Sequence, residues 1–334
     1  MAARDMLPDL ARRVRSGDRG AVARALTIVE RASLDGELHA PAAAEEAGVQ
    51  ALLAGVIRAH VVGITGAPGS GKSTLIGHLA VHLRRQGRKV GILAVDPSSP
   101  FSGGAVLGDR LRMGLPADDP GLFMRSLASR GHQGGLALSV FGMVRVLDAA
   151  GMDLILVETV GAGQNDVGVL GVAHTVVLVF NPAAGDEVQA LKAGIVEIGD
   201  VMVVNKSDLP GADEAYRAIM SVLGLSPEAP GLWRPPVLQV SSVRQSGFAE
   251  LADAVEQHRR YLDSGPAGAQ RRRTQAEWEL RAALLAALER RYLGAARESG
   301  LWGQLVEQVA QGRIASYQAA LRLVGDNRPG DPTP

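Results

Sequence analysis

The chain contains no cysteine among its 334 residues. This absence excludes disulfides, thiolate nucleophiles and sulfur-ligated metal sites, and it is compatible with a reducing compartment. An excess of charge is also missing: 35 Lys and Arg balance 35 Asp and Glu, so overall charge does not predict binding to nucleic acid or an anionic membrane. No apolar run approaches the roughly 20 residues that span a bilayer, and residues 1–8 lack a signal peptide's hydrophobic region. We therefore expect a soluble, cytoplasmic protein without nucleic-acid or membrane partners.

The most informative motif is GAPGSGKS at residues 66–73, which matches a phosphate-binding P-loop at every fixed position. The apolar run Val61–Ile64 precedes it and a helical pattern follows, the context in which backbone N–H groups at a helix N-terminus bind phosphate. A chance match is the alternative, which this context disfavours. The motif predicts nucleoside triphosphate binding, with Lys72 on the β/γ-phosphates and Ser73 on Mg²⁺. The predicted phosphate-binding residues are Gly66, Ala67, Pro68, Gly69, Ser70, Gly71, Lys72, Ser73 and Thr74.

Short β-rich runs alternate with helical patterns from His60 onward. Such near-continuous apolar strands separated by helices indicate a mostly parallel sheet that is covered on both faces. The predicted fold class is α/β, a three-layer P-loop NTPase. The predicted strands lie at Val61–Ile64, Val90–Val95, Leu154–Val157, Thr175–Phe180, Val201–Val204 and Val237–Val240.

Helical segments are predicted on both sides of this domain. Residues 1–58 form an N-terminal helical extension in which residues 16–18 offer an N-cap for a helix through Ala32. The nucleotide domain spans 59–262, and residues 263–268 resemble a linker. Residues 263–326 follow as a helical segment whose apolar face, including Trp278 and Leu285, predicts packing on the nucleotide domain or on a second subunit. The tail 327–334 is expected to be disordered.

The sequence Asn205-Lys206-Ser207-Asp208 predicts the base. It follows the strand Val201–Val204, where this fold places its base-reading loop. A carboxylate accepts both the ring N–H and the exocyclic amino group of guanine, whereas adenine has no such donor pair, so Asp208 selects GTP. Ser241 and Ser242 follow a later strand, and either they present backbone N–H to the guanine carbonyl or they cap the helix before Phe248.

Three carboxylates are candidates for the magnesium site. Glu158 ends the strand 153–157, Asp96 ends the second strand, and Asp109 lies in a glycine-rich segment for which an ordinary surface loop is the alternative. Magnesium keeps several waters and takes few protein ligands, so all three need not contact it at once. Ser73 and these acids are the predicted metal site, while the Gly161 N–H is expected to reach the γ-phosphate.

The residue after Gly161 is Ala162, where many signalling GTPases have a water-positioning glutamine. We therefore expect slow intrinsic hydrolysis. Gln164 is the candidate to position the attacking water, and Arg125 or Arg130 are candidates to supply charge from a loop. The predicted catalytic set is Lys72, Glu158, Gly161 and Gln164, to which Lys192 is added below.

In combination, these motifs resemble the MeaB/ArgK/MMAA family of P-loop GTPases over most of the chain. The resemblance implies a homodimeric GTPase, with GTP/GDP and Mg²⁺ as its ligands. It also implies a chaperone role, in which the protein controls cofactor loading of an adenosylcobalamin-dependent acyl-CoA mutase and protects that enzyme. The residues that carry the resemblance are 95–99, 107–109, 130–135, 158–164 and 205–208.

The family's additional switch segment matches residues 185–194. The resemblance makes Asp186, Glu187 and Lys192 candidates for coupling the nucleotide to the partner, and an amphipathic helix start is the alternative. Residues 181–184 are less glycine-rich than the family form, and residues 164–166 read Gln-Asn-Asp rather than the commoner Gln-Ser-Glu. Both departures fall on switch surfaces, so they concern the partner more than nucleotide binding.

Two other functions compete with this reading. A nickel-delivering GTPase would need clustered Cys or His, and the close histidine pair is His78 and His82, one helical turn apart. A P-loop kinase is the second alternative, which Asp208 disfavours because most kinases use ATP.

Overall fold

The computed structural model describes residues 6–34, 49, 52–53, 55–96, 112–116, 118–128, 133–159, 171–182, 198–224 and 231–325. Within them the strands are β1 (His60–Thr65), β2 (Val90–Asp96), β3 (Leu122–Ala128), β4 (Leu154–Glu158), β5 (Thr175–Phe180), β6 (Val201–Val204) and β7 (Val237–Gln239). They form a seven-stranded sheet with the order β3-β2-β4-β1-β5-β6-β7. Every pairing in this sheet is parallel.

Helices cover both faces of the sheet, which confirms the predicted three-layer fold. Alternate strand residues point to opposite faces, so Val61 packs in one core cluster and Val62 in another. The helices are α1 (Met6–Arg15), α2 (Arg19–Leu34), α3 (Lys72–Arg85), α4 (Gln133–Ala149), α5 (Ala212–Gly224), α6 (Phe248–Ser264), α7 (Pro266–Leu288), α8 (Ala295–Glu298), α9 (Leu301–Ala310) and α10 (Ser316–Gly325). One face of the sheet is covered by α1, α2 and α4, and the other by α3 and α6.

The N-terminal helices belong to the same core as the sheet. The Oδ1 atom of Asp18 accepts a hydrogen bond from the Ala21 backbone N–H at 3.0 Å, so the predicted cap is present at the start of α2. Val22, Leu26 and Val29 are fully or almost fully buried in the cluster that includes β-strand residues. This part of the extension is therefore a layer of the fold.

The predicted linker at 263–268 is wrong. Helix α6 ends at Ser264 and α7 begins at Pro266, so Gly265 alone separates them. Proline at the first turn of a helix costs no hydrogen bond, and the extended Gly265 turns the chain. Gly268 then fits tightly, because a Cβ there would lie 2.0 Å from the Leu262 carbonyl oxygen.

The helical run predicted through Arg297 is present, with a π-helical turn at Glu289–Gly294 between α7 and α8. Trp278 packs against the core cluster under α4, and Arg145 pairs with Glu279 at 2.7 Å. Leu285 and Leu288 remain exposed. The face predicted to be apolar is thus covered near Trp278 and uncovered further along α7.

Strand β3 is not among the strands predicted from the sequence, and its second half, from Arg125, is predicted as a loop. In β3 the side chain of Arg125 pairs with Glu30 of α2 at 2.6 Å. Phe123 and Leu127, two residues away on either side, pack in the same α2-facing cluster. Arg125 is therefore engaged on a sheet face and does not supply charge from a loop.

Within the described residues, no helix combines the length and apolar character needed to cross a membrane.

Candidate nucleotide-binding site

The glycine-rich loop joins the end of β1 to the start of α3, at the carboxyl edge of the sheet. Gly66 and Gly71 have positive φ values of 152° and 88°. A Cβ on Gly66 would lie 2.1 Å from the Val179 carbonyl oxygen, and one on Gly71 would lie 2.5 Å from Asn205 Nδ2. Glycine is thus required at both positions by conformation and by space.

The ammonium of Lys72 is held over this loop. Its Nζ atom donates hydrogen bonds to the carbonyl oxygens of Gly66, at 2.7 Å, and Ala67, at 3.1 Å. Lys72 is only 6% exposed. A buried cation on a glycine-rich loop that leads into a helix N-terminus is a setting suited to a phosphate group.

Ser73 and Glu158 form a compact pair of oxygen donors. Ser73 Oγ donates to Glu158 Oε1 at 2.6 Å, and Glu158 is 9% exposed. The hydroxyl of the following residue, Thr159, is buried without a hydrogen-bond partner in the described part of the chain. Hydroxyl and carboxylate oxygens are the hard ligands that Mg²⁺ prefers, so the donor set fits that ion.

The remaining candidate ligands are less completely described. Asp96 ends β2, which lies beside β4, with Ala94 in register with Glu158. The backbone of Asp96 therefore reaches the same edge of the sheet as Glu158. Asp109, Gly161, Gln164, Arg130 and Lys192 lie outside the described residues.

Asn205 and Lys206 connect the predicted base-reading segment to the phosphate loop. Asn205 Nδ2 donates to the Ser70 carbonyl oxygen at 2.8 Å, and Lys206 Nζ donates to the Gly69 carbonyl oxygen at 2.8 Å. Lys206 has a φ of 53°, which is uncommon for a residue with a side chain. The two segments are 135 residues or more apart in sequence but form one unit.

The carboxylate of Asp208 accepts a hydrogen bond from the Ser241 hydroxyl. This bond lowers the pKa of Asp208, so the side chain stays ionised and accepts hydrogen bonds only. Ser241 Oγ also accepts from the Arg244 backbone N–H at 3.1 Å. The helix-cap alternative for the two serines is wrong, since Gly247 occupies the N-cap position of α6. The Ser242 hydroxyl is buried with no hydrogen-bond partner within the described residues.

The two histidines of the metal-delivery alternative lie on α3. The ring of His78 stacks on Phe248 at 5.2 Å between centroids, and His82 Nε2 lies 3.1 Å from Gln86 Nε2. Within the described residues, no group of three or more His, Asp or Glu is arranged to hold a metal ion.

The parallel sheet and the glycine-rich loop between β1 and α3 define the class: this is a P-loop GTPase fold. Residues 22–297 match the family model described as methylmalonyl-CoA mutase-associated GTPase MeaB. The chain belongs to the MeaB family of GTPases.

Named relatives agree with this assignment. A Pyrococcus abyssi protein named as a GTPase is 40% identical over 321 residues, covering 94% of this chain and 95% of the relative. GTPase ArgK of Escherichia coli is 33% identical, covering 75% of both chains. The mouse mitochondrial methylmalonic aciduria type A homolog is 36% identical, covering 65% of this chain and 53% of its own length. The crystal structure of an LAO/AO transport system kinase shares the fold, with a TM-score of 0.67 at 24% identity over 96% of this chain and 97% of that one.

Proposed function

We propose that this protein binds GTP, hydrolyses it to GDP and phosphate, and acts as a chaperone of an adenosylcobalamin-dependent acyl-CoA mutase. The observation that carries the nucleotide part is the hydrogen bond from Asn205 Nδ2 to the Ser70 carbonyl oxygen. It fastens the segment containing Asp208 to the loop containing Lys72. A single ligand with a guanine at one end and a triphosphate at the other would fit this linked pair of segments.

In this proposal the loop from Gly66 to Thr74 binds the phosphates. Lys72 exchanges its hydrogen bonds to the Gly66 and Ala67 carbonyl oxygens for contacts with the β/γ-phosphates. The exchange costs little, because the ammonium gives up neutral acceptors for charged ones. Asp208 reads the N1–H and amino group of guanine. Asn205 and Lys206 position that carboxylate, and Ser241 orients it while Ser242 offers a further polar group to the base.

Ser73 and Glu158 would hold Mg²⁺, with Asp96 and Asp109 as further candidate ligands. When bound, the ion neutralises charge on the β- and γ-phosphates. The hydrogen bond between Ser73 and Glu158 places the two oxygens close together before any ion arrives. Little reorganisation is then needed to form the site.

For hydrolysis, the chain's own groups would bind and orient the γ-phosphate and a water molecule. Lys72 and the Gly161 N–H would stabilise the negative charge of the phosphate. Glu158 would hold Mg²⁺, and Gln164 would orient the attacking water. Ala162 cannot do so, hence the proposal of slow intrinsic hydrolysis that a partner stimulates. Lys192 would couple this site to the partner.

The proposed partner follows from family membership, because the family description names association with methylmalonyl-CoA mutase. We propose that the chain acts in the cytoplasm, controls loading of adenosylcobalamin into such a mutase and protects the enzyme from inactivation.

We also propose that the chain forms a homodimer through its C-terminal helices. These helices carry large apolar side chains that are 37–73% exposed, more than a helical segment normally leaves in water. They are Leu280, Leu284, Leu285, Leu288, Trp302, Val306, Tyr317, Leu321 and Val324.

The test is GTP turnover by the purified protein, alone and with methylmalonyl-, isobutyryl-, hydroxyisobutyryl- or ethylmalonyl-CoA mutase, together with a pull-down of each pair. Acceleration by one mutase, with co-purification, would support the chaperone role and name the client. Turnover without binding to any of them would leave a GTPase and reject the mutase partner. Absence of GTP binding would reject the whole proposal.

A further inference from the structure

A cavity lies at the edge of the sheet opposite the phosphate loop. It has a volume of about 280 Å³ and lies between the residues before β1, the end of α6 and the start of α7. His60 begins β1 and lies on the cavity wall, whereas the phosphate loop follows Thr65 at the other end of that strand. At about 3.3 Å per residue the two edges are roughly 16 Å apart, so the cavity is separate from the nucleotide site.

Arginine dominates the wall of this cavity. Arg58, Arg259, Arg271 and Arg272 line it, and Asp263 is the carboxylate among its lining residues. Arg271 is compensated by Asp200, 2.6 Å away, and Arg259 has distant contacts of 3.8 Å with Asp263 and 3.9 Å with Glu256. Within the described part of the chain, Arg58 and Arg272 form no ion pair. The wall therefore carries uncompensated positive charge.

His174 adds a neutral donor to the wall of the cavity. His174 Nδ1 accepts a hydrogen bond from the Val61 backbone N–H at 3.0 Å, which assigns the proton of the neutral ring to Nε2. Burial, followed by the charges of Arg271 and Arg272, lowers the pKa of His174 to about 4. Nε2–H is thus a neutral donor on the wall and has no partner among the described residues. The neighbouring His60 is satisfied instead by Thr175 Oγ1 at 2.7 Å.

The cavity continues into a larger cleft. The two share Val56, Arg58, Ala59 and Arg259, and the cleft, with a volume of about 660 Å³, adds Arg15 and Arg88. Its carboxylates are already used by backbone donors. Asp148 accepts the N–H groups of Arg58 and Ala59 at 2.8 and 2.7 Å, and Asp153 accepts that of Lys89 at 2.7 Å. The cleft therefore provides space for a ligand larger than a single ion.

We propose that this arginine-lined cavity binds the phosphate or pyrophosphate group of a small organic ligand distinct from the GTP of the P-loop. A guanidinium group can donate two parallel hydrogen bonds to two phosphate oxygens. The two uncompensated cations, Arg58 and Arg272, favour a dianion over a single carboxylate. Arg271 and Arg272 belong to α7, whereas Arg58 precedes β1. The bound anion therefore bridges the start of α7 and the segment that leads into β1.

The experiment uses the full chain with its P-loop saturated by GDP and Mg²⁺ at a fixed free magnesium concentration, so that the probes do not bind there. Calorimetric titrations with inorganic phosphate and pyrophosphate measure affinity for Arg58→Gln, Arg272→Gln and the unaltered protein. Arg273→Gln is the matched control, because Arg273 is adjacent on the same helix but does not line the cavity. We expect pyrophosphate to bind, at least tenfold weaker binding in the first two variants, and less than a twofold change in the control.

Two further readouts are specific to this site. The His174 ring resonances should shift on pyrophosphate addition, and amide exchange at the start of α7 should slow. The proposal is overturned if pyrophosphate does not bind at millimolar concentration, or if Arg58→Gln and Arg272→Gln bind it as well as Arg273→Gln does. A polyglutamate peptide that competes at lower concentration than pyrophosphate would also overturn it, because the site would then be one for acidic protein.

Discussion

The hydroxyl of Ser73 donates a hydrogen bond to the carboxylate of Glu158 at 2.6 Å, joining the first turn of α3 to the tip of β4. The two residues are 85 positions apart in sequence. Ser73 follows the loop after β1 and Glu158 precedes the loop after β4, and parallel strands bring these loops together at the carboxyl edge of the sheet.

Replacing Glu158 by Gln should reduce the apparent affinity for Mg²⁺ by roughly 10- to 100-fold, because an amide cannot supply the carboxylate's charge. Magnesium titrations of GTP turnover would measure the change. Glu256→Gln, a change on α6 far from this edge, is the control. An unaltered magnesium requirement in Glu158→Gln would reject the assignment of Glu158.

Replacing Lys72 by Ala should weaken GTP binding by at least about 100-fold, since the phosphates would lose a buried charged partner. Titration with a fluorescent GTP analogue measures the dissociation constant, and Lys89→Ala serves as the comparison on the same domain. Retention of tight binding in Lys72→Ala would mean that the loop holds the phosphates through its backbone alone.

Asp208→Asn should weaken GTP binding roughly 10- to 100-fold, the loss expected for hydrogen bonds to a charged group. The same change should favour xanthosine triphosphate, whose carbonyl can accept from the new amide. Competition between the two nucleotides measures the switch, and Asp213→Asn is the matched substitution. Unchanged GTP affinity in Asp208→Asn would show that the base is read elsewhere.

Gly66→Ala should destabilise the fold by more than Gly69→Ala. Both positions have positive φ, 152° and 80°, but only at Gly66 would a Cβ meet an atom within 4 Å, the Val179 carbonyl oxygen. Backbone strain alone costs about 1–2 kcal/mol, and the overlap at Gly66 adds to it. Urea unfolding of the two variants compares them directly; equal losses would contradict the close approach of the loop to β5.

Stability should fall as pH drops from about 6.5 to 5. Burial is the largest cause that lowers the pKa of His60 to about 2 and of His174 and His258 to about 4. As the pH falls, the histidines therefore take up protons in the unfolded chain before they do so in the folded one. Below the unfolded pKa, each histidine lowers the free energy of unfolding by about 1.4 kcal/mol per pH unit. Burial raises the pKa of Asp200, which acts in the opposite sense and makes the net loss smaller than the sum.

Urea unfolding at several pH values measures this loss. His258→Asn should lower the slope of unfolding free energy against pH by up to the equivalent of one bound proton. Constant stability between pH 7 and 5 would contradict the assignment of three buried neutral histidines.

Leu284→Glu should dissociate the proposed homodimer. Leu284 is 55% exposed on α7, and in a two-fold interface each substitution acts twice. Light scattering coupled to gel filtration would report the mass, with Leu232→Glu as a control at an exposed leucine outside the C-terminal helices. A dimer that persists in Leu284→Glu would place the interface elsewhere, and a monomeric unaltered protein would reject the dimer.

Local patterns determined much of this protein. The strand–glycine loop–helix signature at residues 60–85, the apolar runs of β1, β2 and β4–β7, and the Asp18 cap are short-range features, because hydrophobic period and turn chemistry act within a few residues. They suffice to predict the fold class and the candidate phosphate and guanine residues.

Only the tertiary structure decided which distant groups meet. Strand β3 forms because it pairs with β2, and Arg125 at its centre is compensated by Glu30 of α2. From the sequence alone, a run with a charged residue at its centre does not indicate a buried strand. Asn205 donates a hydrogen bond to the Ser70 carbonyl oxygen, 135 positions away. The cavity likewise brings together Arg58, His174 and Arg272, which are more than 90 positions apart. Such contacts arise from the order of strands in the sheet, and local propensity contains no information about that order.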